Sequence, residues 1–229
     1  MREKKSFFQC NSSERLTLLI SFAIWIKIST HLIFFEVRKE MKHFPDADEL
    51  TSLREVQVAS EDIFDGVILH VKKDTVRLPN GNLTGREIIR HVGAVCIIPI
   101  TDDNCVFVER QYRYPYDTVI TEIPAGKLDS RSEDRLSAAK RELREETGIT
   151  ADEWTDLGGF FPSAAYSDEY ITMFLARGLH YGERSLDEDE FLNVVKVPLA
   201  ELVEDVMQGL IPDSKTQTAI LKAARLLGI

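Results

Sequence analysis

A mixed α/β fold of the α+β kind is what this chain predicts, on three observations. Short runs alternate Val, Leu or Ile with polar residues, the pattern of half-buried strands. One stretch, Ala94–Ile100, is apolar without a break and reads as a buried central strand. Two segments, one closing at Gly148 and one running from about Lys215 to Leu227, are rich in helix formers. Strands and helices interleave with no repeat or low-complexity tract, so a layered sandwich is expected.

Taken in order, residues 55–78 hold VQVA and then GVILHVKKDTVRL. With the run that follows the turn Pro79-Asn80-Gly81, they predict a small antiparallel N-terminal sheet. CVFVERQYR, after the turn TDDN, is expected as the neighbour of the central strand. Ser132 or Asp134 is placed to cap the next helix, and Gly148 reads as the glycine that ends it. YITMFLARGL and FLNVVKVPL are the strands expected after that helix. Three parts result: an apolar extension at 1–40, an N-terminal β subdomain at 41–90 and the main domain at 91–229.

The extension is the odd part. Leu16–Phe35 reads LTLLISFAIWIKISTHLIFF, almost a bilayer's length, but Lys27 and His31 interrupt it. Basic Arg2, Lys4, Lys5 and Arg15 precede it, and no small-x-small cleavage site follows. A membrane anchor is one reading. The other is that translation starts at Met41, and this is the expectation, because every recognisable motif follows that residue.

Composition narrows the function class. A chain of 229 residues can bury one good core. A net charge of −10 argues against nucleic acid as the main partner. An acidic protein handling an anion then needs a local metal ion or arginine to receive it. Cys10, Cys96 and Cys105 form neither a CxxC nor an even framework, so a reducing, cytoplasmic setting is expected.

The chemistry concentrates in GKLDSRSEDRLSAAKRELREETGI, Gly126–Ile149. Glu142 lies three and four positions before Glu145 and Glu146, so the three carboxylates share a helix face. Like charges at that spacing repel, and a helix chosen only for stability would place Lys or Arg there. Clustered carboxylates suit hard divalent cations, Mg²⁺ above all, which are the usual partners of phosphate oxygens. Taken alone, RELREE reads more readily as a solvated face with ion pairs; Gly126 ahead of it, Glu133 and the closing Gly148 favour the metal reading. Glu133 and Arg141 are two turns apart, so a direct contact requires the loop to bend back.

This segment resembles the Nudix box, in which Gly, five residues, Glu and seven residues precede Arg-Glu-apolar-x-Glu-Glu-x-Gly-apolar. Gly126, Glu133, Arg141, Glu142, Leu143, Glu145, Glu146, Gly148 and Ile149 fill it. One departure is plain: six residues, KLDSRS, separate Gly126 from Glu133. Around the box stand Arg86-Glu87, HVGAV, RQYRYP, EIPAG, SAAYSDE, DEDEF and GLIPDSKTQTAI. Their order and spacing resemble the ADP-ribose pyrophosphatase branch of the Nudix hydrolases over roughly residues 55–225.

The resemblance implies an α/β/α sandwich with a mixed sheet, a Mg²⁺-dependent (or Mn²⁺-dependent) diphosphate hydrolysis and a domain-swapped homodimer. It implies Glu142, Glu146 and the backbone carbonyl of Ala125 as metal ligands, with Glu145 bridging through water or fixing the geometry. Arg141 reads as the partner that orients these glutamates, or as a phosphate clamp. Glu169 matches the branch's general base, against the plainer reading of a solvent-facing acidic loop. Arg113 is the candidate for gripping the diphosphate or terminal ribose, unless it pairs with Glu122. Arg86 and Glu87 are implied to reach a neighbouring subunit's substrate site, and His91 reads as structural.

The function expected is hydrolysis of ADP-ribose to AMP and ribose 5-phosphate. Another nucleoside diphosphate-sugar such as GDP-mannose, a non-catalytic ADP-ribose sensor, and a membrane-tethered hydrolase are the alternatives. The intact carboxylate set and the lack of an appended DNA-binding segment speak against the sensor.

Overall fold

The unbroken apolar run at 94–100 ends up where such a run is stable, in the middle of a sheet with both faces covered. The computed structural model describes residues 45–186 and 188–229. They fall into two compact units divided after Glu55. The described part of the first carries α1 (Ala47–Leu53), capped by Asp46. The second opens with β1 (Val56–Asp65), β2 (His70–Arg77) and β3 (Leu83–Arg90). Next come β4 (Ala94–Pro99), β5 (Cys105–Arg113), β6 (Thr118–Glu122) and β7 (Ala125–Lys127). Then follow α2 (Arg135–Thr147), β8 (Ile149–Phe160) and β9 (Ile171–Tyr181). The chain closes with β10 (Leu192–Pro198), α3 (Leu199–Met207) and α4 (Ser214–Leu227).

Three sheets result: antiparallel β1-β2-β3, antiparallel β10-β5-β6, and mixed β7-β4-β9-β8 with β4 and β9 parallel. Alternation along β4 divides its side chains between two clusters. Ala94, Cys96 and Ile98 face a core with Val106, Val108, Leu199 and Ile220. Val95 and Ile97 face Ala138, Ala139 and Leu143 of α2. The mixed sandwich preceded by a three-stranded N-terminal sheet is therefore the fold the sequence predicts.

CVFVERQYR is the local exception. As β5 it pairs with β6 and β10, not with β4; the isolated bridge Ile100–Val106 lies just past the end of β4. Both edges of β4 are already taken, by β7 and β9. The turn at Asn104, with a left-handed φ of 57°, sends the chain into the other sheet. The stretch GVILHVKK also starts later than its pattern suggests. Gly66 donates to the Leu69 carbonyl at 2.9 Å, a turn that delays β2 to His70.

Helix ends follow their capping residues. Asp134, one of the two candidates, accepts from the Ser137 amide and starts α2. Gly148 ends it with φ 72°, and a Cβ there would sit 2.4 Å from the Gly182 carbonyl oxygen. Cys96 and Cys105 are unpaired, and burial pushes the Cys96 thiol up to about 12. Among the described residues no helix is long and apolar enough to cross a membrane. The stretch 16–35, Cys10 and the Met41 start lie outside the described residues.

The start of α4 is tied to the strand end that leads to β7. Thr216, fully buried, accepts the Ile123 amide at 3.0 Å and donates to Asp213, the helix cap, at 2.6 Å. Thr216→Val keeps the shape but leaves that amide without its acceptor. We expect a loss of about 1–3 kcal/mol in unfolding free energy, measured by urea denaturation.

Candidate active site

Helix α2 presents one stripe inward: Ala139, Leu143 and Glu146 at steps of four and three. The stripe ends on a carboxylate. Glu146 is 6 % exposed, and its Oε2 accepts the Ala125 amide of β7 at 3.0 Å. One turn earlier, Glu142 lies directly against Gly126: a Cβ on that glycine would fall 1.9 Å from the Glu142 Cδ. Only glycine lets the β7 backbone come so close. Arg141 donates to Glu142 Oε1 at 2.7 Å and to Glu145 Oε2 at 3.4 Å. It also reaches Glu133 Oε1 and the Lys127 carbonyl, each at 3.4 Å, so the lengthened loop does bend back onto the helix.

The negative charge here exceeds its local compensation. Burial, then the neighbouring Glu109, Glu142 and Glu190, push the Glu146 carboxyl far above its usual range. The Ala125 amide offsets only part of this. Glu109 on β5 is 3 % exposed and is raised by burial, then by Glu190 and Glu122. Among the described residues its buried Oε1 has no hydrogen-bond partner. Glu142 is raised by burial despite Arg141.

Ala125 and Gly126 form part of the wall of a cavity of about 270 Å³, together with His91, Arg113, Glu169 and Lys215. Of its cations, Arg113 and Lys215 are anchored rather than dangling, while Lys127 also lines the wall. Arg113 gives Nε and Nη2 to the two oxygens of Glu122 at 2.6 and 2.9 Å. Lys215 bonds the same carboxylate and pairs with Asp213 at 3.2 Å. Burial would raise the Glu122 carboxyl, yet Arg113 and Lys215 together hold it below the ordinary value. A second cavity, about 500 Å³ and lined by Tyr116, Ile120 and Pro212, shares Pro162, Asp213 and Ser214 with the first. The two make one elongated cleft.

Of the residues singled out from sequence, Glu142, Glu146 and Ala125 come together. Glu169 and Arg113 line the adjoining cavity, with Glu169 Oε1 3.7 Å from His91 Nδ1. Arg113 is also in the pairing with Glu122 named above as its rival role. Glu145 is half-buried and faces Arg141 and Arg144, at 3.4 and 3.9 Å, instead of the cavity. Arg86 and Glu87 stand on β3 opposite Asp74 and Lys73 and do not line this cavity. Sequence reasoning passed over Glu109, Glu190 and Lys215 as site residues. A glutamate inside the apolar strand VFVE was the available signal for the first. The other two stand in DEDEF and GLIPDSKTQTAI, segments that count toward the resemblance without assigning either residue a role.

A NUDIX domain matches residues 90–216, more than half of the chain. The chain belongs to the Nudix family. It is 40 % identical over 173 residues to the ADP-ribose pyrophosphatase of Bacillus subtilis (strain 168), covering 75 % of this chain and 93 % of that one. It is also 40 % identical over 168 residues to the methanol dehydrogenase activator of Bacillus methanolicus, covering 72 % and 90 %. The crystal structure of an ADP compounds hydrolase superposes with a TM-score of 0.69 at 25 % identity, over 77 % of this chain and 96 % of that one. The protein is thus a Nudix hydrolase, of a family that generally works with a divalent metal ion.

The residues present fit such an ion. Among the described residues no three acidic, His or Cys side chains already converge as a closed shell. Two helix carboxylates and a backbone carbonyl need no third side chain. Buried carboxylates pushed toward protonation, one with an orphan oxygen, are what a hard cation would relieve. When bound, the ion would neutralise diphosphate oxygens and favour a nucleophilic water.

A pH dependence follows. The folded values of Glu146 and Glu109 lie above the unfolded value of about 4.3, so the metal-free native state binds the extra protons. Its stability therefore falls as pH rises through that interval. A bound cation would replace those protons. Thermal stabilisation by a fixed Mg²⁺ concentration should accordingly be larger at about pH 9 than at about pH 6, as measured by calorimetry.

Proposed function

We propose that this Nudix hydrolase cleaves ADP-ribose to AMP and ribose 5-phosphate with Mg²⁺. The observation that carries the reading is the meeting of Glu142 and Glu146 with the Ala125–Gly126 backbone, at the wall of a cavity flanked by Arg113 and Lys215. Glu142, Glu146 and the Ala125 carbonyl would hold the metal. Glu145, through Arg141, keeps the helix carboxylates oriented. Glu169 takes the proton of the attacking water, whose oxygen bonds to one phosphorus while the bridging P–O bond breaks. Arg113, held by Glu122 through Nε and Nη2, offers Nη1 to a phosphate oxygen.

The choice of ADP-ribose rests on the Bacillus subtilis relative, and the elongated cleft suits a substrate with a group on each side of its diphosphate. The purified protein, given Mg²⁺ and a panel of nucleoside diphosphate-sugars, should turn over ADP-ribose fastest, with AMP and ribose 5-phosphate identified by mass. A larger kcat/KM for GDP-mannose would reassign the substrate. Glu146→Gln should fold and lose about three orders of magnitude in kcat. Near-normal turnover at saturating Mg²⁺ would overturn the metal assignment.

The working form we propose is a homodimer with shared sites. All ten residues of β1 are exposed, Val56, Val58, Ile63 and Phe64 among them, which is unusual for a monomer's sheet face. Pairing across a two-fold axis would cover them and carry Arg86 and Glu87 toward the partner's cavity. Mixed Arg86→Ala and Glu146→Gln subunits should recover part of the activity that each lacks alone. No recovery after confirmed subunit exchange would assign each chain its own complete site.

A further inference from the structure

Beside the proposed base stands a carboxylate with a different set of partners. Asp168 Oδ1 accepts the His91 amide at 2.7 Å. Its Oδ2 accepts from Arg90 Nη1 at 3.2 Å and from Arg131 Nη2 at 3.0 Å. Burial would raise this carboxyl, but the three donors outweigh it and hold it below the ordinary range. The backbone repeats the connection. Ile89 donates to the Tyr166 carbonyl at 2.7 Å, and the Asp168 amide donates to the Ile89 carbonyl at 3.2 Å. Arg90 continues to Asp74 Oδ2 of β2 at 3.6 Å, a carboxylate 3 % exposed that also accepts from Gln57 of β1 at 2.8 Å.

Arg131 comes from KLDSRS, the loop that is one residue longer than the Nudix pattern. That loop thus does two things: it returns Glu133 to Arg141 and sends Arg131 across to Asp168. We propose that Asp168 is a positioning residue, clasping the segment that carries Glu169 to the end of β3 and to the lengthened loop ahead of α2. The N-terminal sheet and the metal helix then both set where Glu169 stands. The inference rests on the reading of Glu169 as the base.

The three donors are unequal. Arg131 is mostly exposed, and an exposed ion pair contributes little to stability, so Arg131→Ala folds. The His91 amide and the half-buried Arg90 hold more firmly. Losing all three lets the segment drift, and a displacement of about 1 Å costs roughly 100-fold in rate.

The test uses the full-length protein and whichever nucleoside diphosphate-sugar the wild type turns over. Asp168→Ala should lower kcat about 100-fold, with KM and the Mg²⁺ requirement little changed, and should speed amide exchange across 163–169. Asp168→Asn, which can still accept from His91, should recover much of the rate, and Arg131→Ala should lose a few-fold. Wild-type kcat in Asp168→Ala, or a rise in KM alone, overturns the proposal. Should Asp168→Ala fail to fold, wild-type kcat and exchange in Arg131→Ala overturn it instead. Glu169→Gln at full activity would remove the base assignment, while the exchange data still judge the clasp.

Discussion

The site depends on keeping Glu146 charged or chargeable on the buried face of α2. Taking a carboxylate out of water without full compensation costs several kcal/mol, and a single amide from Ala125 does not restore that. The helix cannot relieve the cost by rolling. Leu143, on the same stripe and fully buried, would leave the core if Glu146 turned outward. Apolar packing around α2 therefore holds the carboxylate where electrostatics alone would reject it. Gly126 belongs to the same constraint, since any side chain there would occupy the place of the Glu142 carboxylate.

The lengthened loop and the N-terminal sheet extend this arrangement outward. Arg141 gathers Glu133, Glu142 and Glu145 on one guanidinium, which fixes the loop against the helix. From that loop Arg131 reaches Asp168, and from Asp168 a chain of hydrogen bonds and one ion pair runs through Arg90 to Asp74 and Gln57. Helix, loop and sheet are thus joined by side chains far apart in sequence. A change in how β1 is covered has a physical route to the segment bearing Glu169.

How much of this could be read in the chain depends on whether the signal was local. The continuous run Ala94–Ile100 and the stop Gly148 are local patterns that the fold follows, and of the two caps the sequence offers, Asp134 is the one used. The facing of Glu142 and Glu146 needs only helical periodicity. CVFVERQYR shows where local reading stops: its strand character is plain, but its partners depend on which edges of β4 are already filled. β8 and α3 went unrecognised because TADEWTDLGGF is broken by a glycine pair and LAELVEDVM follows a strand with no separate cap. Lys215 and Glu190 are brought near the carboxylates only by tertiary folding. Arg113 illustrates an intermediate case, because the sequence offered both of its roles and the pairing with Glu122 does not remove it from the cavity.

The charge balance of the cleft has a consequence for the order of binding. Arg113 and Lys215 are matched by Glu122 and Asp213, so that cluster is close to neutral and draws in no dianion by itself. Beyond it lie Glu109, Glu142, Glu146 and Glu190, whose mutual repulsion already raises the buried ones toward protonation. On a chain of net charge −10, Lys127 and the free edge of Arg113 are the cleft's own cations toward an arriving diphosphate, and they face four glutamates. Positive charge brought in from outside, placed among the glutamates and within reach of the phosphate oxygens, would shift that balance toward attraction. A metal ion and a diphosphate would then bind with mutual dependence, each supplying charge that the other lacks.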